Sequence, residues 1–231
     1  MDQTTPLPCS WRKLILMCAI SFALVAAAST LDRRVAEAVR SFHIKPSIMH
    51  SFAVDAIKTL GVYWTTVAIA IFVAWKHQWR WRAAVFILMT GLICLVGNLA
   101  KWMIGRTRPF KLEPRIDEAA PFELQPFRSG WEGLFAQKNL AFPSGHTMVA
   151  FATAAGLAIL WPRWRWLFYT AAALVAAERV MENAHWLSDV VGAAGLAICG
   201  VHLMWRIILP LVRAAPGIKN EPQPAVNLNR P

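Results

Sequence analysis

Charged residues are few in this chain, and acids fewest: 16% of its 231 residues are charged, with 13 Asp and Glu against 24 Lys and Arg. That scarcity, beside 57% hydrophobic residues, excludes an ordinary soluble domain, and the length leaves room for one domain rather than several. Cysteine is also sparse. Cys18, Cys94 and Cys199 fall inside apolar runs and Cys9 lies near the start, at no spacing that makes a metal or redox pair, so no disulfide is expected. No internal repeat divides the chain. No group of acids of the kind that holds magnesium accompanies the basic segments, so the reading involves no metal and no cofactor.

What is present is apolar sequence in long runs. Runs near the length that crosses roughly 30 Å of hydrocarbon occur at about residues 13–29, 57–75, 83–104, 144–161, 166–180 and 186–209. They predict an all-α polytopic membrane protein, a six-helix transmembrane bundle whose fifth span is the shortest. The first run is open to a second reading as a cleaved signal peptide, because Arg12 and Lys13 precede an apolar stretch that ends in "AAAST". Most of the 12 Trp stand near run ends, where their rings favour the headgroup layer.

The net charge of +11 does not indicate nucleic acid, because the bases sit in short segments between apolar runs rather than along one soluble face. Arg12 and Lys13, then Lys76, Arg80 and Arg82, then Arg163 and Arg165, then Arg206 and Arg213 share one side if the chain crosses six times. That side is predicted to be cytoplasmic. The chain then divides into a cytoplasmic N-terminus (1–12), a membrane domain (13–213) and a polar, proline-rich cytoplasmic tail (214–231) expected to be disordered. After the first span, "TLDRRVAEAVRSF" puts Val35, Val39 and Phe42 on one helical face. It reads equally as a helix lying in the outer interface or as a solvated loop helix.

The longest connection, residues 105–142, far exceeds the usual few residues and reads as a functional lid or a disordered segment. It opens in "KWMIGRTRPF", where Gly105 and Pro109 stop the third helix, leaving Lys101 on its last turn and Arg108 extended before proline. Both can then meet one anion; the plain alternative is a snorkelling lysine with boundary arginines. It closes in "AFPSGHT", where Ser144 is placed as a helix cap and the N–H groups of Gly145 and His146 are unpaired at the positive helix end, ready for phosphate. His146 adds a proton that titrates near neutrality; the alternative is a capped start with an incidental histidine. In "ERVMENAHWLSDV", His185 and Asp189 are four apart, so on a helix the carboxylate accepts from one imidazole nitrogen and leaves the other to attack, with Arg179 upstream. The alternative is a surface pair that steadies a helix end. In the six-span plan all three segments lie on one membrane side. Together they supply cations, backbone donors, two histidines and an oriented carboxylate, the makings of phosphoryl transfer without a metal.

The pattern Lys-x6-Arg-Pro (Lys101, Arg108, Pro109), Pro-Ser-Gly-His (Pro143 to His146) and Arg-x5-His-x3-Asp (Arg179, His185, Asp189) resembles the type 2 phosphatidic acid phosphatase superfamily, which includes the vanadium haloperoxidases. The likeness is to its integral-membrane lipid phosphatase branch. The resemblance implies that His185 is the nucleophile that forms a phosphohistidine, that Asp189 orients it, and that His146 serves first as acid and then as base. It implies Lys101, Arg108, Ser144, Gly145 and Arg179 as the phosphate ligands. Glu178 stands where the superfamily usually has Ser, and either pairs with Arg179 and weakens its hold on phosphate or points away and orients it. Arg106, outside the motif, is expected to be a headgroup contact.

The expected partners are the bilayer and a lipid phosphate within it: phosphatidate, phosphatidylglycerol phosphate, a polyprenyl diphosphate or a lipid A phosphate. It is reached at the outer face, with the loop bases Lys111, Arg115, Arg128 and Lys138 selecting among these lipids. Six spans argue against a soluble haloperoxidase. The remaining alternative is a catalytically impaired protein that binds or transports lipid phosphates, which the set of His185, His146 and Asp189 disfavours.

Overall fold

The computed structural model describes residues 8–42, 51–77, 80–112, 124–128, 130 and 139–214. Its regular structure is helical apart from one isolated bridge between Thr107 and Leu140. The α-helices are α1 (Trp11–Ser41), α2 (Phe52–Thr59), α3 (Tyr63–His77), α4 (Arg80–Ile104), α5 (Gly145–Leu160), α6 (Arg165–Met181) and α7 (Leu187–Ala214). By length and composition α1, Ala84–Ile104 of α4 and Leu187–Leu211 of α7 each suffice to cross a membrane, and α2 with α3, bent by 70° at their junction, suffices only if the two count as one broken span rather than a re-entrant loop. The chain is a multi-pass membrane protein. With 16 and 17 residues, α5 and α6 fall short of the roughly 20 that a straight span needs, so this criterion yields three or four of the six expected spans.

Two elements differ from expectation. The segment after the first span does not part from it: Trp11–Ser41 is one helix of 31 residues. Its buried face near the C-terminal end is Asp32, Ala36 and Val39, while Phe42 is exposed. The reason is Asp32, whose carboxylate finds Arg106 inside the bundle and draws the charged segment onto it. The second run is broken at residues 60–62, where Gly61 sits so close to its neighbours that an added Cβ would lie 2.8 Å from the His146 Cβ. The bend thus carries the chain against the start of α5.

The core is a seam between α4, α5 and α7, built from Met89 and Ile93, Met148, Ala152 and Ala155, and Ala193, Ala197 and Val201. Lipid offers no hydrophobic gain for helix association, so close packing of small residues and interhelical hydrogen bonds must hold the bundle together. An added Cβ at Gly156 would meet the Phe86 ring at 2.3 Å, and one at Gly97 the Met148 sulfur at 2.2 Å. Thr66 and Thr153 share a buried hydrogen bond of 2.6 Å between α3 and α5. Outward faces carry exposed Phe22, Trp64, Trp75 and Trp166, as a lipid-facing surface does.

Helix α4 ends at Gly105, which adopts a φ of +66° and donates its N–H to the Lys101 carbonyl at 2.9 Å, a left-handed stop open to glycine. Gln125 N–H donates to Ile104 O at 3.0 Å and Phe127 N–H to Trp102 O at 3.2 Å, laying residues 124–128 across the helix end. An added Cβ at Gly105 would stand 1.8 Å from the Gln125 carbonyl oxygen. Gly105→Ala is expected to cost about 1–3 kcal/mol, read as a lower Tm of the protein in detergent. An unchanged Tm would mean that residues 124–128 move aside freely.

Candidate active site

Four chain segments meet at one end of the bundle: the C-termini of α4 and α6 and the N-termini of α5 and α7. They are laced together by hydrogen bonds across long sequence separations. Ala141 N–H donates to Arg106 O at 2.8 Å and Phe110 N–H to Asn183 O at 3.2 Å. The Trp186 indole donates to Thr107 O at 2.8 Å, and Arg108 Nε donates to Leu140 O at 3.2 Å. A cavity of about 480 Å³ opens here, lined by Lys101, Arg108, Gly145, His146 and His185 together with Gly61, Tyr63, Asn98 and others.

Lys101 and His185 are buried, with 6% and 3% of their surface exposed. The Lys101 ammonium lies 3.6 Å from where a Cβ of Gly145 would be, which places this charge beside the first turn of α5. That turn holds no acid, which leaves the positive helix end for an anion. Ser144 occupies the cap position, but its side chain does not cap: Oγ accepts from the Thr147 hydroxyl at 3.0 Å instead of from a backbone N–H. A nearby hydroxyl has out-competed the helix for it. Burial and the charge of Arg179 together lower the pKa of the Arg108 guanidinium, offset by Asp189 and Glu182. Its surroundings are crowded with cations.

Burial pulls the His185 imidazole down to a pKa of about 4, against Asp189, which raises it, and with Lys101 and Arg108, which lower it further. His185 is therefore neutral at pH 7. Its Nδ1 lies 3.5 Å from Asp189 Oδ2 and makes no hydrogen bond, so the expected His–Asp bond is aligned rather than closed. Asp189 is held elsewhere: Oδ2 accepts from Trp186 N–H at 2.9 Å and Oδ1 from Arg106 Nη1 at 2.6 Å. The first of these is the backward half of a capping box at the start of α7.

One expectation is corrected by this geometry, and two further arginines are given partners. Arg106 is turned inward rather than toward the headgroup layer: it is buried and bonds Asp32, Ser188 and Asp189. Arg179 is occupied by two carboxylates, through a two-pronged contact with Glu178 and at 2.6 Å with Glu182, and Lys58 of α2 completes the cluster at 3.0 Å from Glu182. Burial raises the Glu182 carboxyl, but Lys58 and Arg179 outweigh it and hold the group below the usual range. Arg128 is a staple, donating to Thr107 Oγ1 at 2.5 Å and to Asn139 O at 3.2 Å. Arg115 and Lys138 lie outside the described residues, as does the tail beyond residue 214. Asp32 and Ser188 were not foreseen; a lone acid at the edge of an apolar run was the available signal.

Solved structures place the fold. The crystal structure of the first transmembrane PAP2-type phosphatidylglycerolphosphate phosphatase from Bacillus subtilis is similar over 88% of this chain and 98% of its own, with a TM-score of 0.57 at 22% identity. That likeness is one of fold. The PAP2 superfamily model matches residues 81–213, and the chain belongs to this superfamily. Two relatives are each 36% identical to it, the lipid A 1-phosphatases of Rhizobium etli and Rhizobium johnstonii, over 131 and 130 residues. The matches take in 57% and 55% of this chain but 49% and 45% of theirs. The chain thus spans about half the length of the curated relatives it matches.

Proposed function

We propose that this protein is a membrane lipid phosphatase that hydrolyses a phosphomonoester or diphosphate headgroup through a phosphohistidine, without a metal. The observation that carries the reading is the meeting of Lys101, Arg108, Gly145, His146 and a neutral His185 in one cavity. His185 Nε2 attacks phosphorus as the bond from phosphorus to the lipid oxygen breaks, and protonated His146 gives its proton to the leaving alkoxide. His146, now neutral, takes a proton from water; the hydroxide attacks phosphorus, the P–N bond breaks and His185 is regenerated. Lys101, Arg108 and the N–H groups at the start of α5 stabilise the charge spread over the equatorial oxygens. Asp189 holds the tautomer of His185 and balances the imidazolium as it forms. Ser144 supports this helix start.

Among lipid phosphates the two lipid A 1-phosphatase relatives favour a lipid A phosphate over phosphatidate, phosphatidylglycerol phosphate or a polyprenyl diphosphate. In this reading residues 13–213 form the catalytic membrane domain with six crossings, the short α5 and α6 among them. The site faces outward and both termini lie in the cytoplasm. Supporting this, Arg206 donates to Cys9 O at 2.9 Å and lies 4.5 Å from the Trp11 ring centroid, so the chain start and the far part of α7 share the end away from the cavity.

The clasp on Arg179 favours a second reading, a lipid-phosphate binding or transport protein whose third motif has lost its phosphate ligand. Glu178→Ser discriminates. It is expected to free Arg179 and lower KM about threefold to tenfold with kcat little changed. A higher KM would mean that Glu178 positions Arg179 usefully. The test of the main reading is phosphate release by the purified protein from a panel of lipid mono- and diphosphates with chelator present. Release that survives the chelator supports it; binding without release from any lipid by folded wild type supports the second reading.

A further inference from the structure

The buried charges behind the cavity take no direct part in this chemistry. Asp32 of α1 is 1% exposed, Arg106 2% and Asp189 0%. Burying three charges is costly unless each is paired and hydrogen-bonded, and here each is. Arg106 Nη2 donates to Asp32 Oδ2 at 2.7 Å, and its Nη1 to Asp189 Oδ1 at 2.6 Å and Ser188 Oγ at 2.7 Å. Asp32 Oδ1 accepts from Ser188 N–H at 2.8 Å, and Oδ2 from the Ser188 hydroxyl at 2.5 Å. Trp186 covers the guanidinium at 5.1 Å. To fix the start of α7, Arg106 paired with Asp189 alone would suffice. The second carboxylate leaves the trio with one excess negative charge, and Asp189 turns Oδ2 toward His185 Nδ1 at 3.5 Å.

We propose that Asp32, acting through Arg106, is a positioning residue for His185: it sets how much negative charge Asp189 keeps for the imidazole. The inference rests on the reading of His185 as nucleophile. Without Asp32, the Arg106 charge would fall on Asp189 alone, and the imidazolium that forms on attack would face a neutral pair. Helix α1 lies outside the matched residues 81–213, so the element that tunes the nucleophile is separate from the motifs. The other charged or titratable groups around His185 are Lys101 of α4, Arg108, and His146 of α5, with Arg179 at the end of α6 beside Arg108 and His146. None of these is altered in the variants below.

Asp32→Asn keeps the shape and the acceptor toward Ser188 while removing the charge. Two readouts are taken against pH: kcat and KM for phosphate release from the lipid that wild type turns over, and the His185 imidazole titration by NMR of histidine-labelled protein, assigned by its loss in His185→Gln. The expected result is kcat lower by about tenfold, KM within about twofold, and the His185 midpoint and acid limb both at lower pH, because losing a nearby negative charge disfavours the imidazolium. Asp32→Asn with Arg106→Gln removes one charge of each sign and restores the single excess negative charge, so the midpoint returns to within about half a pH unit of wild type. A folded Asp32→Asn with unchanged kcat and midpoint would reduce the trio to a scaffold. Should that variant not fold, a midpoint of the double variant displaced well below wild type overturns the inference instead. If the midpoints move as expected while wild type releases no phosphate, the coupling stands and the phosphatase reading fails.

Discussion

His185→Ala is expected to cut phosphate release by about ten-thousandfold or more while lipid phosphate still binds within a few fold of wild type. The asymmetry follows from how the site is divided. Lys101, Arg108 and the start of α5 come from other elements and remain in place, whereas no other neutral imidazole is backed by a carboxylate in this cavity among the described residues. Acid-quenched wild type should carry phosphate on His185 and the variant should carry none; more than about a hundredth of the activity left in His185→Ala would place the nucleophile elsewhere. The pH profile tests the same assignment. Burial holds the His185 pKa at about 4, so the attacking lone pair is present at neutral pH and is lost as pH falls through that region. In the proposed mechanism the leaving group needs a proton on His146, which the bound phosphate dianion holds there and which is lost as pH rises through the titration of the substrate complex. The rate is therefore bell-shaped in pH, and a flat profile from about pH 5 to 9 would remove His146 from the mechanism.

The parts of this molecule that were legible in its sequence are those encoded locally. A run of apolar residues is itself the signal for a buried helix, so the helices α4 to α7 fall near the expected runs. The stop at Gly105 was written in one residue. What escaped depended on partners far along the chain. Nothing in "TLDRRVAEAVRSF" points to Arg106, 74 residues away, so a helix end held by a buried ion pair looked like an amphipathic surface helix. Arg106 and Arg108 are two residues apart and chemically alike, yet the turn after Gly105 sends one to Asp32 and Asp189 and the other to the cavity wall. Arg179 shows the converse: its place in a motif is plain, but its pairing with Glu178 is a question of rotamers, and Glu182, three residues on, reaches it from the next turn.

In the proposed reading, Arg179 is held by two carboxylates and the load of binding phosphate falls on the other two cations, so their removal should be severe. Lys101→Met and Arg108→Gln are each expected to lower kcat/KM about a hundredfold to a thousandfold, against less than about tenfold for Arg179→Gln. Lys101 stands at the end of α4 beside Gly145, and Arg108 is tied through Nε to the Leu140 carbonyl, so both are positioned before substrate arrives. Holding like charges together costs free energy that a phosphate dianion relieves, most strongly in the transition state where its charge spreads over three oxygens. Two residues that share one anion do not act independently, so the double variant should lose less than the product of the single losses. Lys101→Arg should not rescue fully, because a planar fork does not replace a compact point charge on a buried stem. If Arg179→Gln proves as damaging as Arg108→Gln, the carboxylate clasp must open when substrate binds, and Glu178 becomes part of a gate over a ligand that Arg179 still supplies.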